Sequence, residues 1–170
     1  ENWARLKLYE NAELSGKIRE ELVYLKEPAF GVLLSPIEQA AETPDVVLIA
    51  ANPYNAMRIT QGYAYHYGMP KSVNMIGNQA VCLECTARPH ALQDMNISLL
   101  CIGTRHRAGW ADDEMAVGIP AAQFAKVVDG LMNTLNQMEN DHNKAVIEEK
   151  LKAKNIVFPI RYGYNYYTEC

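Results

Sequence analysis

The sequence predicts an α/β domain: a parallel or mixed sheet with flanking helices and a helical C-terminal extension. Three observations carry this. Residues 44–51, PDVVLIAA, with β-branched residues in the centre, and 96–103, NISLLCIG, are short apolar runs that read as buried strands. Residues 52–68 between them carry helix signals at both ends, with Asn52 to cap, Pro53 for the first turn and Gly68 to stop. Strand–helix–strand alternation of this kind is the signature of a sheet covered by helices.

The remaining elements follow in order. Residues 1–22 read as a helix, with Leu6, Leu8, Leu14, Ile18 and Leu22 partly on a helical period. Pro28 ends that region, and AFGVLLSPI, residues 29–37, reads as a buried strand closed by Pro36. KSVNMIG, 71–77, is a further strand. Residues 82–93 form a short helix broken near Pro89. The polar stretch 105–114 is loop, and MAVGIP, 115–120, is a last short strand. After Pro120 the period changes: Phe124, Val127, Val128, Leu131 and Leu135 recur at three and four residues, and a charged helix continues through 139–155. In the tail, 156–170, Tyr162, Tyr164 and Tyr166 alternate, so one face can lie on a sheet edge or a partner. The chain is read as one domain, with an α/β core at 29–119, a helical segment at 120–155 and an aromatic tail at 156–170.

Composition narrows the function. The 170 residues are 49% hydrophobic and 21% charged, ordinary globular values. The net charge is −4 with no basic run, which argues against nucleic acid, and no apolar run approaches a membrane span. Four cysteines do not make a disulfide framework, so they are expected to be reduced thiols in the cytoplasm. The chain starts at Glu1 rather than Met, so its original start is expected to have been processed or trimmed. G-x-S-x-G, G-x-G-x-x-G and Walker motifs are absent, leaving hydrolase, dinucleotide and nucleoside-triphosphate readings without support.

The chemistry centres on AVCLECTARPH. Cys82 and Cys85 sit at C-x-x-C spacing, and Cys101 follows. Three thiolates suit zinc or an iron–sulfur cluster, with His90, His106 or Cys170 as a fourth ligand. The competing reading is three small buried apolar residues. A thioredoxin-like pair is disfavoured by the negative charge of Glu84 between the thiols. Asn52 opens a helix where free amides favour an anion, with Arg58 further along; a cap and a surface arginine is the plain alternative. Arg88, Arg105 and Arg107 suit a carboxylate or phosphate, or pair with local acids. Asp112, Asp113 and Glu114 could hold a hard cation, although such a run usually means a solvated turn. Were the strands parallel, Asn52, Gly77–Asn78, Cys82 and Cys101–Arg105 would meet at one rim, where α/β sheets bind ligands.

Taken together, PDVVLIAANPYNAMRITQGYAYHYG, GNQAVCLECTARPH and CIGTRHRAGWADDEMAVGIPAAQFAKVVDGL resemble the domain-of-unknown-function 169 family, the uncharacterised ArCR proteins of bacteria and archaea. The resemblance covers about residues 29–135. It implies that Asn52, Pro53, Met57, Arg58, Cys82, Arg88, Cys101, Gly103, Arg105, Asp113 and Glu114 are family-type positions, and that Cys85 is not. It names no reaction. Members resembling this chain also carry an upstream Cys-Pro-Gly-Gly-like motif that this sequence lacks, so a site needing it would be held here only in part.

The resulting expectation is an iron–sulfur or zinc module centred on Cys82 and Cys101, with Cys85 as a further candidate ligand. Asn52, Arg58, Arg88 and Arg105 would supply polar contacts. The alternatives are a metal-free site for a small anionic ligand, with Asp113 or Glu114 as base, and an interaction module that forms a homo-oligomer or joins a larger complex.

Overall fold

The computed structural model describes residues 9–71, 73–75, 83–135 and 141–154. The chain divides into two compact units, Glu1–Thr134 and Leu135–Cys170. The first holds the sheet. Helix α1, Ala12–Glu20, is capped by Asn11, whose side chain accepts from the Leu14 amide at 2.9 Å. Strand β1, Val46–Ala51, leads through Asn52 into α2, Pro53–Tyr67. The cap signals act as read: Asn52 Oδ1 accepts from the Asn55 amide at 2.8 Å, Pro53 lies in the first turn, and Gly68 stops the helix at φ 74°. A π-helical turn, Leu83–Ala87, runs into α3, Arg88–Leu92. Then come β2, Asn96–Ser98; α4, Ile102–Ala108; β3, Met115–Pro120; and α5, Ala121–Asn133. In the second unit, α6 spans Asp141–Ala153.

The sheet is ordered β1-β3-β2, and both described pairings are antiparallel. The parallel alternative is therefore replaced by strands β1 and β2 that run the same way with β3 inserted between them. The register pairs Ala51 with Met115 and Ser98 with Ala116. The carboxyl ends of β1 and β2 thus lie on one edge, together with the start of β3.

The central strand is buried from Ala116 to Pro120, and its alternating side chains feed two different cores. Val117 and Ile119 pack with Ala56, Ile59 and Tyr63 of α2 and Val127 of α5. Ala116 packs on the other face with Cys85 and Leu100, against Leu48 and Trp110. Helices α2 and α5 approach closely through glycine: a Cβ on Gly62 would stand 2.6 Å from the Val127 carbonyl oxygen. On the opposite face, a Cβ on Gly118 would stand 2.7 Å from Cys85 Cα.

Several sequence expectations are corrected. Residues 29–36 form no strand; they are irregular and exposed, and a 3-10 turn follows at Ile37–Gln39. Residues 73–75 are likewise irregular, and 76–77 lie outside the described residues. The polar stretch after Cys101 is a helix over Ile102–Ala108, because the Cys101 side chain caps it and Gly109, at φ 69°, ends it. Pro89 does not break the run; the π-helical turn Leu83–Ala87 continues through it into α3, Arg88–Leu92. Thr134 caps α5, so α5 and α6 are separate helices. Of the stripe after Pro120, Val127 is buried and Phe124 and Leu131 are packed, whereas Val128 and Leu135 are exposed. Residues 1–8, Cys82 and the tyrosine tail lie outside the described residues.

Candidate functional site

The carboxyl edge of the sheet is built by three chain segments. Asn52 leaves β1 there. Residues 99–101 leave β2 and enter α4. The turn before Met115 brings the chain back into β3. Two of the anticipated rim segments, Asn52 and Cys101–Arg105, therefore share this edge. Gly77, Asn78 and Cys82 lie outside the described residues.

Cys101 caps α4. Its sulfur accepts from the Thr104 amide at 3.4 Å and lies 3.1 Å from Thr104 Oγ1. Partial burial pushes this thiol up, but the Thr104 hydroxyl and the amides of Thr104 and Gly103 outweigh burial, and the net effect is a lowered pKa. The residue before it, Leu100, is buried and held at φ 65°, a left-handed conformation that a leucine rarely adopts. Its amide donates to Ser98 Oγ at 3.1 Å, which helps fix the bend that delivers Cys101 to the rim.

Arg105 stitches the rim together. Its guanidinium donates to the carbonyls of Ala111 at 2.5 Å, Leu99 at 2.8 Å and Glu114 at 2.8 Å. Glu114 closes the same turn by accepting from the Ala111 amide at 2.6 Å. Asp113 is exposed on that turn. Trp110 is partly buried against Cys85, Leu100 and Ala116, so it anchors the turn to the core.

The other candidates lie elsewhere. Arg58 is buried along α2, where its guanidinium donates to the carbonyls of Thr134 at 2.9 Å and Leu131 at 3.3 Å, and to Gln61 at 2.6 Å. It holds the end of α5, where unsatisfied carbonyls welcome a cation. Arg88 is buried one helical turn from Glu84, and its charge pulls the Glu84 pKa down. Cys85 is sealed within the core. Its thiol donates to the Ala116 carbonyl at 3.4 Å. Burial and the neighbouring Glu84 charge push it up to about 12, which disfavours the thiolate. Among the described residues, no three His, Cys, Asp or Glu side chains gather into a group able to hold a metal.

Sequence reasoning missed a buried polar layer on the Cys85 face. Asn96 donates through Nδ2 to the Glu84 carbonyl at 2.7 Å, the Asn74 carbonyl at 3.1 Å and Glu84 Oε2 at 3.2 Å. The Asn74 amide donates back to Asn96 Oδ1 at 2.8 Å. Glu84 is only 1% exposed, and its pKa is raised by burial against the opposing pull of Arg88 and Asn96. The one legible signal was a charged residue inside the small, apolar run AVCLECTA. A second buried link, Tyr63 to Asp94 at 2.5 Å, joins α2 to the start of β2. No local sequence pattern announces it.

Fold and rim define an α/β domain whose sheet edge carries a half-buried thiol, Cys101, with a lowered pKa. The chain belongs to the domain-of-unknown-function 169 family, described as uncharacterised ArCR, whose model matches residues 1–130. It is 22% identical over 129 residues to the uncharacterised protein MJ0308 of Methanocaldococcus jannaschii. That match takes in 76% of this chain and 55% of the relative, so the chain spans about half the length of the curated relative it matches. No solved structure matches it. No described helix is long and apolar enough to cross a membrane.

Proposed function

We propose that this chain is a thiolate-centred metal-binding module, with Cys101 as the rim ligand and Cys82 as the second thiolate. An iron–sulfur cluster is the sharper form and zinc the other. The observation that carries the reading is Cys101 itself, a partly exposed thiol that caps α4 at the sheet edge and whose pKa is lowered by donors from Thr104 and Gly103. The strained Leu100 beside it supports the same choice, since backbone strain gathers at functional sites. A cytoplasmic setting, where thiols stay reduced, suits such a centre. The metal-free reading, a small anionic ligand held by arginines, has less support: Arg58 and Arg105 already donate to several carbonyls, and the Arg88 charge acts on Glu84.

The test is iron, zinc and acid-labile sulfide per chain after purification without oxygen, for the parent chain and for Cys82→Ser, Cys85→Ser and Cys101→Ser. Bound metal lost in the Cys82 and Cys101 variants, with the metal content of folded Cys85→Ser unchanged, is the expected result. A metal-free parent chain, or metal retained in Cys101→Ser, sinks the proposal. It would return attention to Cys101 as a metal-free thiol.

A further inference from the structure

Residues 30–37 are the anomaly of this fold. Phe30, Val32, Leu33, Leu34 and Ile37 are all exposed, Leu33 at 88% and Leu34 at 77%. Monomeric soluble proteins seldom display so concentrated an apolar strip. The segment also has the composition of a strand that expects burial on both faces, for its apolar side chains are consecutive rather than alternating. Pro28 and Pro36 bracket it, leaving residues 29–35, seven in number, with backbone donors available for a ladder.

A matching acceptor is present on the same chain. Strand β1 is at one end of the sheet order, paired only with β3 among the described residues. It is six residues long, VVLIAA, in unbroken register with its neighbour. It has no charge, no proline and no bulge, the devices by which natural edge strands avoid pairing with other chains. An edge of this kind is a template for an incoming strand.

We propose that residues 29–35 add as a strand to the edge of β1 that no described strand pairs, in a second copy of this chain, and that the second copy reciprocates. The occupant follows from the chemistry. Donor and acceptor are both uncharged and apolar, close in length, and carried by one polypeptide. A single two-fold contact therefore covers both exposed features in both copies, whereas any other partner would have to bring its own donor and its own edge. This inference concerns β1, not the Cys101 rim, and it holds or fails independently of metal content.

The experiment measures the mass of the full chain in solution by light scattering across low to high micromolar concentration, together with amide exchange in β1. The comparison is the double variant Val32→Lys and Leu34→Lys, which alters exposed residues only and leaves the core intact. The expected result is a two-chain mass with slow exchange across β1, and for the variant a one-chain mass with faster β1 exchange. A one-chain mass for the parent, as folding back onto its own β1 would give, overturns the proposal. So does a two-chain mass that survives in the variant, or one without protection of β1.

Discussion

Cys85 and Cys101 carry the same functional group, and their surroundings drive them apart. Cys85 is fully buried, its thiol donates a hydrogen bond to the Ala116 carbonyl, and the Glu84 charge opposes ionisation. Around Cys101, donors from Thr104 and Gly103 favour the thiolate. In the folded chain, iodoacetamide at neutral pH is expected to label Cys101 and to leave Cys85 unmodified, as read by peptide mass. Replacing Thr104 with Val removes one donor and raises the Cys101 pKa. Labelling should then slow by a few-fold, about tenfold at most, because one pKa unit is ~1.4 kcal/mol and a more basic thiolate is also more nucleophilic. Glu84 gives a second residue-scale prediction. Its folded-state pKa is raised above the roughly 4.3 of an exposed glutamate, so the folded chain holds this proton more tightly than the unfolded chain. Its contribution to stability is full below the unfolded value and is lost as pH rises through the folded value. Glu84→Gln should therefore flatten the fall of melting temperature with rising pH and raise it at neutral pH. An unchanged slope would show that Arg88 and Asn96 already compensate the charge.

At the scale of elements, glycine decides how closely the layers pack. Gly62 lets α5 approach α2, and the alanine Cβ would meet the Val127 carbonyl at 2.6 Å and the Leu131 amide at 2.7 Å. Those are backbone atoms, which cannot swing aside. Gly62→Ala is expected to cost about 1–3 kcal/mol in chemical denaturation, the usual range for overpacking. Gly16 in α1 is the control, because a Cβ there meets nothing within 4 Å. Gly16→Ala should stabilise by roughly 0.5–1 kcal/mol through helix propensity alone. The two substitutions are chemically identical, so opposite signs would isolate helix packing as the cause. Arg58 works at the same scale. By donating to carbonyls at the end of α5 it ties two elements that are distant in sequence.

At the scale of the whole molecule, β3 is the keystone. Among the described strands it is the last in sequence, lies between the other two and feeds both cores. Its amides from Ala116 to Ile119 are expected to exchange most slowly in the first unit and to report global unfolding, whereas those of the exposed helix α1 should exchange by local opening. Comparable rates for β3 and α1 would mean that the sheet opens without unfolding the rest. The central position of β3 also explains the shared rim. Inserting an antiparallel strand between β1 and β2 leaves both of their carboxyl ends on one edge, so Asn52 and Cys101 come to the same side without a parallel sheet.

What could be read in the sequence was what short stretches settle among themselves. Strand β1, helix α2 with its Asn52 cap and Gly68 stop, and helix α5 follow from side-chain period and capping chemistry, which act over a few residues. Cys101 was recognisable as a candidate from its place after the C-x-x-C pair and from the family resemblance. Tertiary structure decided the rest. The strand-like run at 29–37 stands exposed because β propensity is realised only when a partner strand supplies the ladder. The polar run after Cys101 is a helix because the cysteine side chain caps it. Arg58 is a strut, Glu84 is buried and Cys85 is sealed because the central strand draws distant segments onto its two faces. Solvation and electrostatics depend on which groups those segments bring together, and no single stretch of this sequence contains that information.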